Sequence, residues 1–357
     1  MFLGTMGVRF PTCKHLLLKF TVLQILLITV LIMNNDRLSF KRYFMNISNT
    51  LNETSFSGFD FGTKLETLRD VQQFFCEYFH PLPLEPRVAM YDILINTTKK
   101  IKIALYSDGD IVSESIIHSG NWEQAELDQI LLVVGNAKNA YGIEDPVVLD
   151  IGANVGWFSF NMASRGITTI AVEALVHNSL LIRATLCENQ HLMSKMTLMN
   201  KGLACNHTIC NVIAHPNNIG DGLVSCNEDV NIGDYIIRER IELVRLDDYI
   251  FQDIFVMKID VEGFEMNVMQ SASKLFSHYK VYFILSELNI VLLIGAKVHP
   301  SDYIQFLITQ GFLISTEGFY GPYQSYEKLN SMIVNEINNS SSLTINIYCK
   351  NVVLLDN

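Results

Sequence analysis

The stretch Val147-Val-Leu-Asp-Ile-Gly-Ala-Asn-Val-Gly-Trp-Phe-Ser-Phe160 decides the fold. An apolar run of strand type ends on Asp150, a turn bearing Gly152, Asn154 and Gly156 follows, and an apolar segment of helical spacing begins. A strand, tight turn and helix in that order leave backbone N–H groups free at the helix start, beside an acid. That geometry suits an adenosine-bearing cofactor. The spacing is G-x-N-x-G rather than G-x-G-x-x-G. Asparagine tolerates the left-handed conformation better than other non-glycine residues, so Asn154 can replace a turn glycine. The simpler alternative is an ordinary strand-to-helix turn capped by Asp150.

Beyond Phe160 the pattern repeats. Short apolar runs at Thr168–Val172, Met196–Met199, Phe255–Ile259, Val281–Leu285 and Phe312–Ser315 alternate with helical patterns at Phe158–Ser164, Ser179–Glu188, Phe264–Leu275 and Ser301–Gln310. Alternation of this kind predicts an α/β fold with a mainly parallel sheet covered on both faces. Cys205 to Arg240 breaks the rhythm and reads as a loop with short antiparallel strands, and the β-branched tail Leu343–Val353 reads as a last strand. Upstream, Lys64–Phe79 and Trp122–Val134 read as helices. Between them, Ile101, Ile103 and Leu105, then Ile111 and Val112, suggest antiparallel strands.

Acids sit at the strand ends. Glu173 closes the second run twenty-three residues after Asp150, where nucleotide folds place a ribose-binding carboxylate; a surface acid is the plainer reading. In Lys258-Ile-Asp260-Val-Glu262-Gly263-Phe-Glu265 a strand ends in two acids before a helix. First and fourth strands neighbour each other at the switch point of a doubly wound sheet, so Asp150 and Asp260 should line one crevice. Lys258, in a buried strand, needs a carboxylate partner, with Glu262 or Glu287 expected to supply it. Helix capping by Asp260 and Glu262, and a structural ion pair for Lys258, are the alternatives.

The set VVLDIGANVGWFSF, IAVEA, VRLDDY and VMKIDVEGFEMNVM resembles the FkbM family of S-adenosylmethionine-dependent methyltransferases, in its Asp150–Gly156, Glu173, Leu246–Asp248 and Lys258–Glu265 segments. The resemblance runs from about Trp122 to Phe312. It implies a Rossmann-like class I methyltransferase fold, with a final antiparallel strand, and S-adenosyl-L-methionine as the cofactor for methylating a hydroxyl. By position, Asp150, Gly152, Asn154 and Gly156 would hold the methionine moiety and Glu173 the ribose. Ala174 stands where the family usually has proline. Cys205 to Arg240 has no clear family pattern, and Asn200 to Leu203 is the expected adenine contact. Methyl transfer is an in-line displacement that depends on positioning, helped by a base near the hydroxyl proton. Asp260 and Glu262 are the candidate bases, with Lys258 or Glu287 tuning them; which acts is open. A divalent metal on Asp260, Glu262 and Glu287 is a lesser reading because no histidine joins them, so none is expected. His299 could reach the site but reads first as a surface histidine. Trp122 reads first as packing, then as a sugar platform, and one Asp of Leu246-Asp-Asp248 as a turn cap.

The chain has 357 residues, 49% hydrophobic, with net charge −11, which argues against nucleic acid as a partner. Leu16 to Met33 is apolar except at Lys19, Thr21, Gln24 and Thr29; Lys19 can reach back to the headgroups. No A-x-A-like site follows, which favours a retained signal anchor over a cleaved signal peptide. Asn-x-Ser/Thr triplets begin at Asn46, Asn52, Asn96, Asn206, Asn338 and Asn339, all beyond that segment. Six cysteines also lie beyond it, an even number that suits an oxidising lumen; Cys205 with Cys210 is the favoured pair. The expected organisation is a cytoplasmic tail (1–15), anchor (16–33), stem (34–63), extension (64–145) and methyltransferase domain (146–357) of a type II membrane glycoprotein of the Golgi or endoplasmic reticulum. A glycan is the expected acceptor. Two other classes remain: an anchored binding protein that has lost catalysis, and an NAD dehydrogenase. The second would want a tighter glycine turn and a catalytic His, Lys or Tyr pattern that is not evident.

Overall fold

The computed structural model describes residues 64–79, 87–96, 99–218, 220, 222–226, 234–339 and 344–355. The chain divides into residues 1–61 and a compact unit, 62–357, which holds all described residues. The expected anchor, the stem and the Asn46 and Asn52 sequons lie outside the described residues. Among the described residues no helix is long and apolar enough to cross a membrane.

In chain order the first half comprises α1 (Lys64–Phe79), β1 (Val88–Asn96), β2 (Lys99–Tyr106), α2 (Ile111–Ser119), α3 (Gln124–Gly135), α4 (Ala137–Tyr141), β3 (Val147–Ile151), α5 (Trp157–Ser164), β4 (Thr168–Val172), α6 (Val176–Glu188) and β5 (Met196–Met199). Four strands follow: β6 (Gly202–Leu203), β7 (Thr208–Ala214), β8 (Leu223–Ser225) and β9 (Ile236–Val244). The remainder is β10 (Ile254–Ile259), α7 (Glu265–Ser271), α8 (Ser273–His278), β11 (Val281–Asn289), α9 (Ile290–Gly295), α10 (Pro300–Thr309), β12 (Phe312–Ser315), α11 (Tyr326–Asn339), β13 (Thr344–Asn351) and α12 (Val352–Leu355).

The central sheet has the order β12-β13-β11-β10-β3-β4-β5. All its strands run parallel except β13, which is antiparallel to both β11 and β12. Apolar layers cover both faces, so strands such as β10 are buried along their whole length and read as continuous apolar runs. Strands β3 and β10 are neighbours, with Asp150 opposite Lys258, and their C-terminal ends open onto the switch-point crevice.

Between β5 and β10, where a helix would usually cross over, the chain forms a second sheet of order β6-β9-β7-β8. The β1–β2 hairpin lies against α6. There the Ala104 amide donates to Thr185 Oγ1 (2.9 Å) and Asn189 Nδ2 to the Lys102 carbonyl (2.7 Å), so the hairpin edge is satisfied by side chains.

Three expectations need correction. Ile111 and Val112 are helical, not extended: Asp110 Oδ2 accepts the Ser113 amide (2.8 Å) as N-cap and Gly120 closes the helix in the left-handed conformation. The helix expected over Phe264–Leu275 restarts at Ser273, because Asp247 Oδ1 takes the amides of Lys274 and Leu275, both at 2.9 Å. Asp247 thus caps a helix start, as one Asp of this segment was expected to cap a turn. Finally, Cys210 pairs with Cys226, not Cys205. In the β7–β8 ladder Asn211 faces Ser225, which puts Cys210 directly across from Cys226, with their Cα atoms 4.4 Å apart. A second bridge, Cys76–Cys187, ties α1 to α6, leaving Cys205 and Cys349 as the free thiols among the described residues.

Non-reducing peptide mapping of the protein purified from a secretory host should recover the Cys76–Cys187 and Cys210–Cys226 cross-links and alkylate Cys205. A Cys205–Cys210 peptide would contradict the register of β7 and β8.

Candidate active site

The crevice at the ends of β3, β4 and β10 holds a cavity of about 370 Å³. Its floor is the turn after β3. Gly152 has φ +81°, and a β-carbon there would lie 1.7 Å from the carbonyl oxygen of Asp260, so only glycine lets the two strand exits meet. Asn154, at φ 52°, takes the left-handed position expected of it.

Four of the turn's amides are not free for a ligand as its sequence suggests. Those of Gly152 and Ala153 both donate to the Val172 carbonyl, and that of Gly156 to the Ala153 carbonyl. The Asn154 amide donates to Glu173 Oε2 and the Leu175 amide to Glu173 Oε1, each at 2.7 Å. Glu173 therefore stands at the cavity wall with both oxygens anchored and lone pairs to spare. Burial pushes its carboxyl up to about 8 despite those two amides. Asp150 is placed differently from the expectation. It is 1% exposed, lies behind the cavity wall, and accepts a hydrogen bond from Ser159 Oγ (2.6 Å). Burial raises its pKa, opposed by the nearby Lys258 ammonium.

The opposite end is acidic. Glu123, Lys258, Asp260, Glu262 and Glu287 all line it, together with Trp122 and Phe158. The partner of Lys258 is Asp260 (2.9 Å), neither Glu262 nor Glu287, because residues two apart on an extended strand project to the same side. The ammonium also sits 4.7 Å from the centre of the Phe158 ring. Burial opposes its charge, yet Asp260, Asp150 and Glu123 outweigh that and hold its pKa well above the ordinary lysine value. Burial and the neighbouring Asp260 raise Glu287 to about 8. Burial also lifts Glu123 to about 7, with Lys258 pulling the other way. Carboxylate oxygens of Glu123, Asp260 and Glu287 lie within 4.8 Å of one another, so the third member of this group is Glu123 and not Glu262. Glu262 instead accepts a hydrogen bond from Asn289 Nδ2 (3.4 Å).

The Glu173 end is apolar, formed by Leu175, Leu203, Val212, Val224, Ile111 and Val112. The second sheet supplies three of these, Leu203, Val212 and Val224, and no linear motif announced the last two. In the expected adenine segment, Lys201, Gly202 and Leu203 face the cavity, whereas Asn200 spends its amide on the carbonyls of Glu173 and Ala174. Asn178, buried, joins the wall and donates to the Gly220 carbonyl (2.8 Å). His299 is exposed and caps α10, its Nδ1 accepting the Ser301 amide (3.2 Å), so it takes no part. Glu123 was missed. It lies before the first recognisable motif, and only the packing of α3 brings it to the strand ends.

Residues 150–312 are similar to the Methyltransferase FkbM domain. Solved structures with a similar fold include a methyltransferase FkbM from Methylobacillus flagellatus KT (14% identity, covering 48% of this chain and 39% of that one, TM-score 0.33). Others are a precorrin-6y C5,15-methyltransferase from Geobacter metallireducens GS-15 (14% identity, 60% and 84% covered, TM-score 0.30) and WbdD (15% identity, 67% and 42% covered, TM-score 0.38). The chain spans less than half the length of the first and last of these. No curated protein sequence matches it significantly.

Glu123, Glu173, Glu265 and Glu287 have folded pKa values of about 7 to 8 against an ordinary 4.5. Each binds its proton more tightly in the folded chain, so its stabilisation is complete below the ordinary value and is lost as pH rises through 7 to 8. The ligand-free protein should therefore need less urea to unfold at about pH 8.5 than at about pH 5.5, and Glu287→Gln should flatten that slope. A midpoint that rises over this range would contradict the charge placement.

Proposed function

We propose that the chain transfers a methyl group from S-adenosylmethionine to a hydroxyl, with a glycan as the acceptor. The observation that carries this reading is a single cavity with an anchored carboxylate and apolar slot at one end and a lysine-centred acid cluster at the other. Its volume, about 370 Å³, is in the range of small-molecule sites. Residues of the first end fit a nucleoside: Glu173 for the ribose hydroxyls, and Leu175, Leu203 and Val212 for the purine faces. The acid-rich end suits a positively charged sulfonium. Bound there, the cofactor would supply an activated methyl group for in-line transfer.

The chain's own residues do the rest. Gly152 brings the β3 turn against the β10 exit, which fixes where the two halves of the cavity meet. Lys258 and Asp260 form an ion pair beside the reaction centre. The carboxylates around it can accept a hydrogen bond from an acceptor hydroxyl and then its proton. Trp122 offers an aromatic surface next to those acids, a combination suited to sugars, which present hydroxyls at their edges and apolar C–H faces.

Location in the secretory lumen, with residues 16–33 as anchor, belongs to the same proposal. The two disulfides support it, as do the exposed Asn206 and Asn338, each opening a glycosylation triplet.

Full-length protein incubated with methyl-labelled S-adenosylmethionine and extracted glycans should label the glycan. Asp260→Asn should lower kcat by about a hundredfold or more, and Glu173→Gln should raise the KM for the cofactor about tenfold to a hundredfold with a smaller change in kcat. Cofactor binding without transfer to any glycan fraction would count against the acceptor assignment. Unchanged kinetics in both variants would remove the site.

A further inference from the structure

We propose that Glu123 and Glu287 work as one proton-sharing pair that takes the proton of the acceptor hydroxyl, set above the fixed Lys258–Asp260 ion pair. This rests on the methyl-transfer reading and names the base within it. Glu123, which lies outside the matching domain, becomes a catalytic residue on this account.

The argument starts from charge and distance. Oxygens of Glu123, Asp260 and Glu287 converge within 4.8 Å on the cavity wall, and the one ammonium among them is engaged by Asp260 at 2.9 Å. Asp150 stands behind Lys258, almost wholly buried, with one carboxylate oxygen lacking a hydrogen-bond partner. One buried cation thus faces Asp150, Asp260, Glu123 and Glu287, with Glu126 and Glu265 close enough to add repulsion and Tyr348 feeling Glu123 and Glu126. Carboxylates this close cannot all ionise in a low-dielectric pocket, so a proton stays within the group. Asp260 is engaged by the Lys258 ammonium at 2.9 Å, so the retained proton is assigned to Glu123 and Glu287. Both lie on the cavity wall, and burial lifts both into the neutral range, where a base can accept and release a proton.

The backbone at Glu123 agrees with this use. It occupies the N-cap position of α3 in the left-handed conformation (φ 45°, ψ 53°), and its side chain makes no capping hydrogen bond. The carboxylate faces the cavity in place of serving the helix. A metal would need the same oxygens, but the Lys258 ammonium already provides the positive charge at Asp260.

In the step itself the acceptor O–H proton moves to the singly ionised pair. The acceptor oxygen forms the new O–C bond, and the C–S bond breaks with its electron pair remaining on sulfur. The pair, then doubly protonated, releases one proton to solvent through the cavity mouth.

Two readouts on the full chain test this. The first is an infrared titration of the protein without cofactor, comparing wild type with Glu123→Gln and Glu287→Gln. Removing either glutamate should lower the ionisation midpoint of the other by about one pH unit or more, a tenfold loss of proton affinity. If the remaining carboxyl keeps its wild-type midpoint, the two are independent and the pair is refuted. The second is kinetic. Each variant should lose about a hundredfold in kcat, with the double variant little worse than either, while S-adenosylhomocysteine binds all of them within about threefold of wild type. Wild-type kcat in Glu123→Gln, or activity removed by chelator and restored by magnesium, would overturn the proposal. Loss of S-adenosylhomocysteine binding in the wild type would instead strike the parent reading, and the infrared result would still judge the pair.

Discussion

The contact on which the molecule turns is the approach of Gly152 to the carbonyl of Asp260. A side chain of even one carbon would collide with that oxygen. The Asp260 amide meanwhile donates to the Ile151 carbonyl (3.0 Å), so the exits of β3 and β10 are locked to each other. With those exits joined, everything at the C-terminal edge of the sheet acquires a fixed position: Glu173 from β4 on one side, Lys258 and Asp260 in the middle, Glu287 from β11 on the other. The cavity is a consequence of strand order, because helices following neighbouring strands at the switch point leave in opposite directions.

Electrostatics set the character of that cavity. Lys258 lies in a strand that is otherwise wholly apolar, and a lone ammonium there would be prohibitively costly. Its environment of Asp260, Asp150, Glu123 and the Phe158 ring stabilises the charge. Once Lys258 is fixed, the surrounding acids divide into those that share its field directly and those held near neutrality by burial and mutual repulsion. That division separates the Lys258–Asp260 ion pair from carboxyls able to exchange protons, and it arises from placement alone.

The parallel sheet was legible in the sequence because its inner strands, such as β3 and β10, are buried on both faces and so appear as apolar runs. The same logic located Glu173, Lys258, Asp260, Glu262 and Glu287 at strand ends. Other features depended on long-range contacts that no local pattern encodes. Ile111 and Val112 look extended by composition, yet the Asp110 cap and the Gly120 stop favour a helix. The Cys210–Cys226 bridge follows from ladder register, not from proximity along the chain. Glu123 and the apolar slot come from segments on either side of the sheet's core, and Asp150, whose motif drew attention first, turns out to support the wall from behind.

The central claim, that the cavity beside the β3 turn receives a sulfonium nucleoside, is tested most directly by calorimetric titration of the purified protein with S-adenosylhomocysteine and, separately, with NAD. Saturable binding of one S-adenosylhomocysteine per chain and no heat with NAD is the predicted result. Binding of NAD alone, or of neither compound, would contradict it.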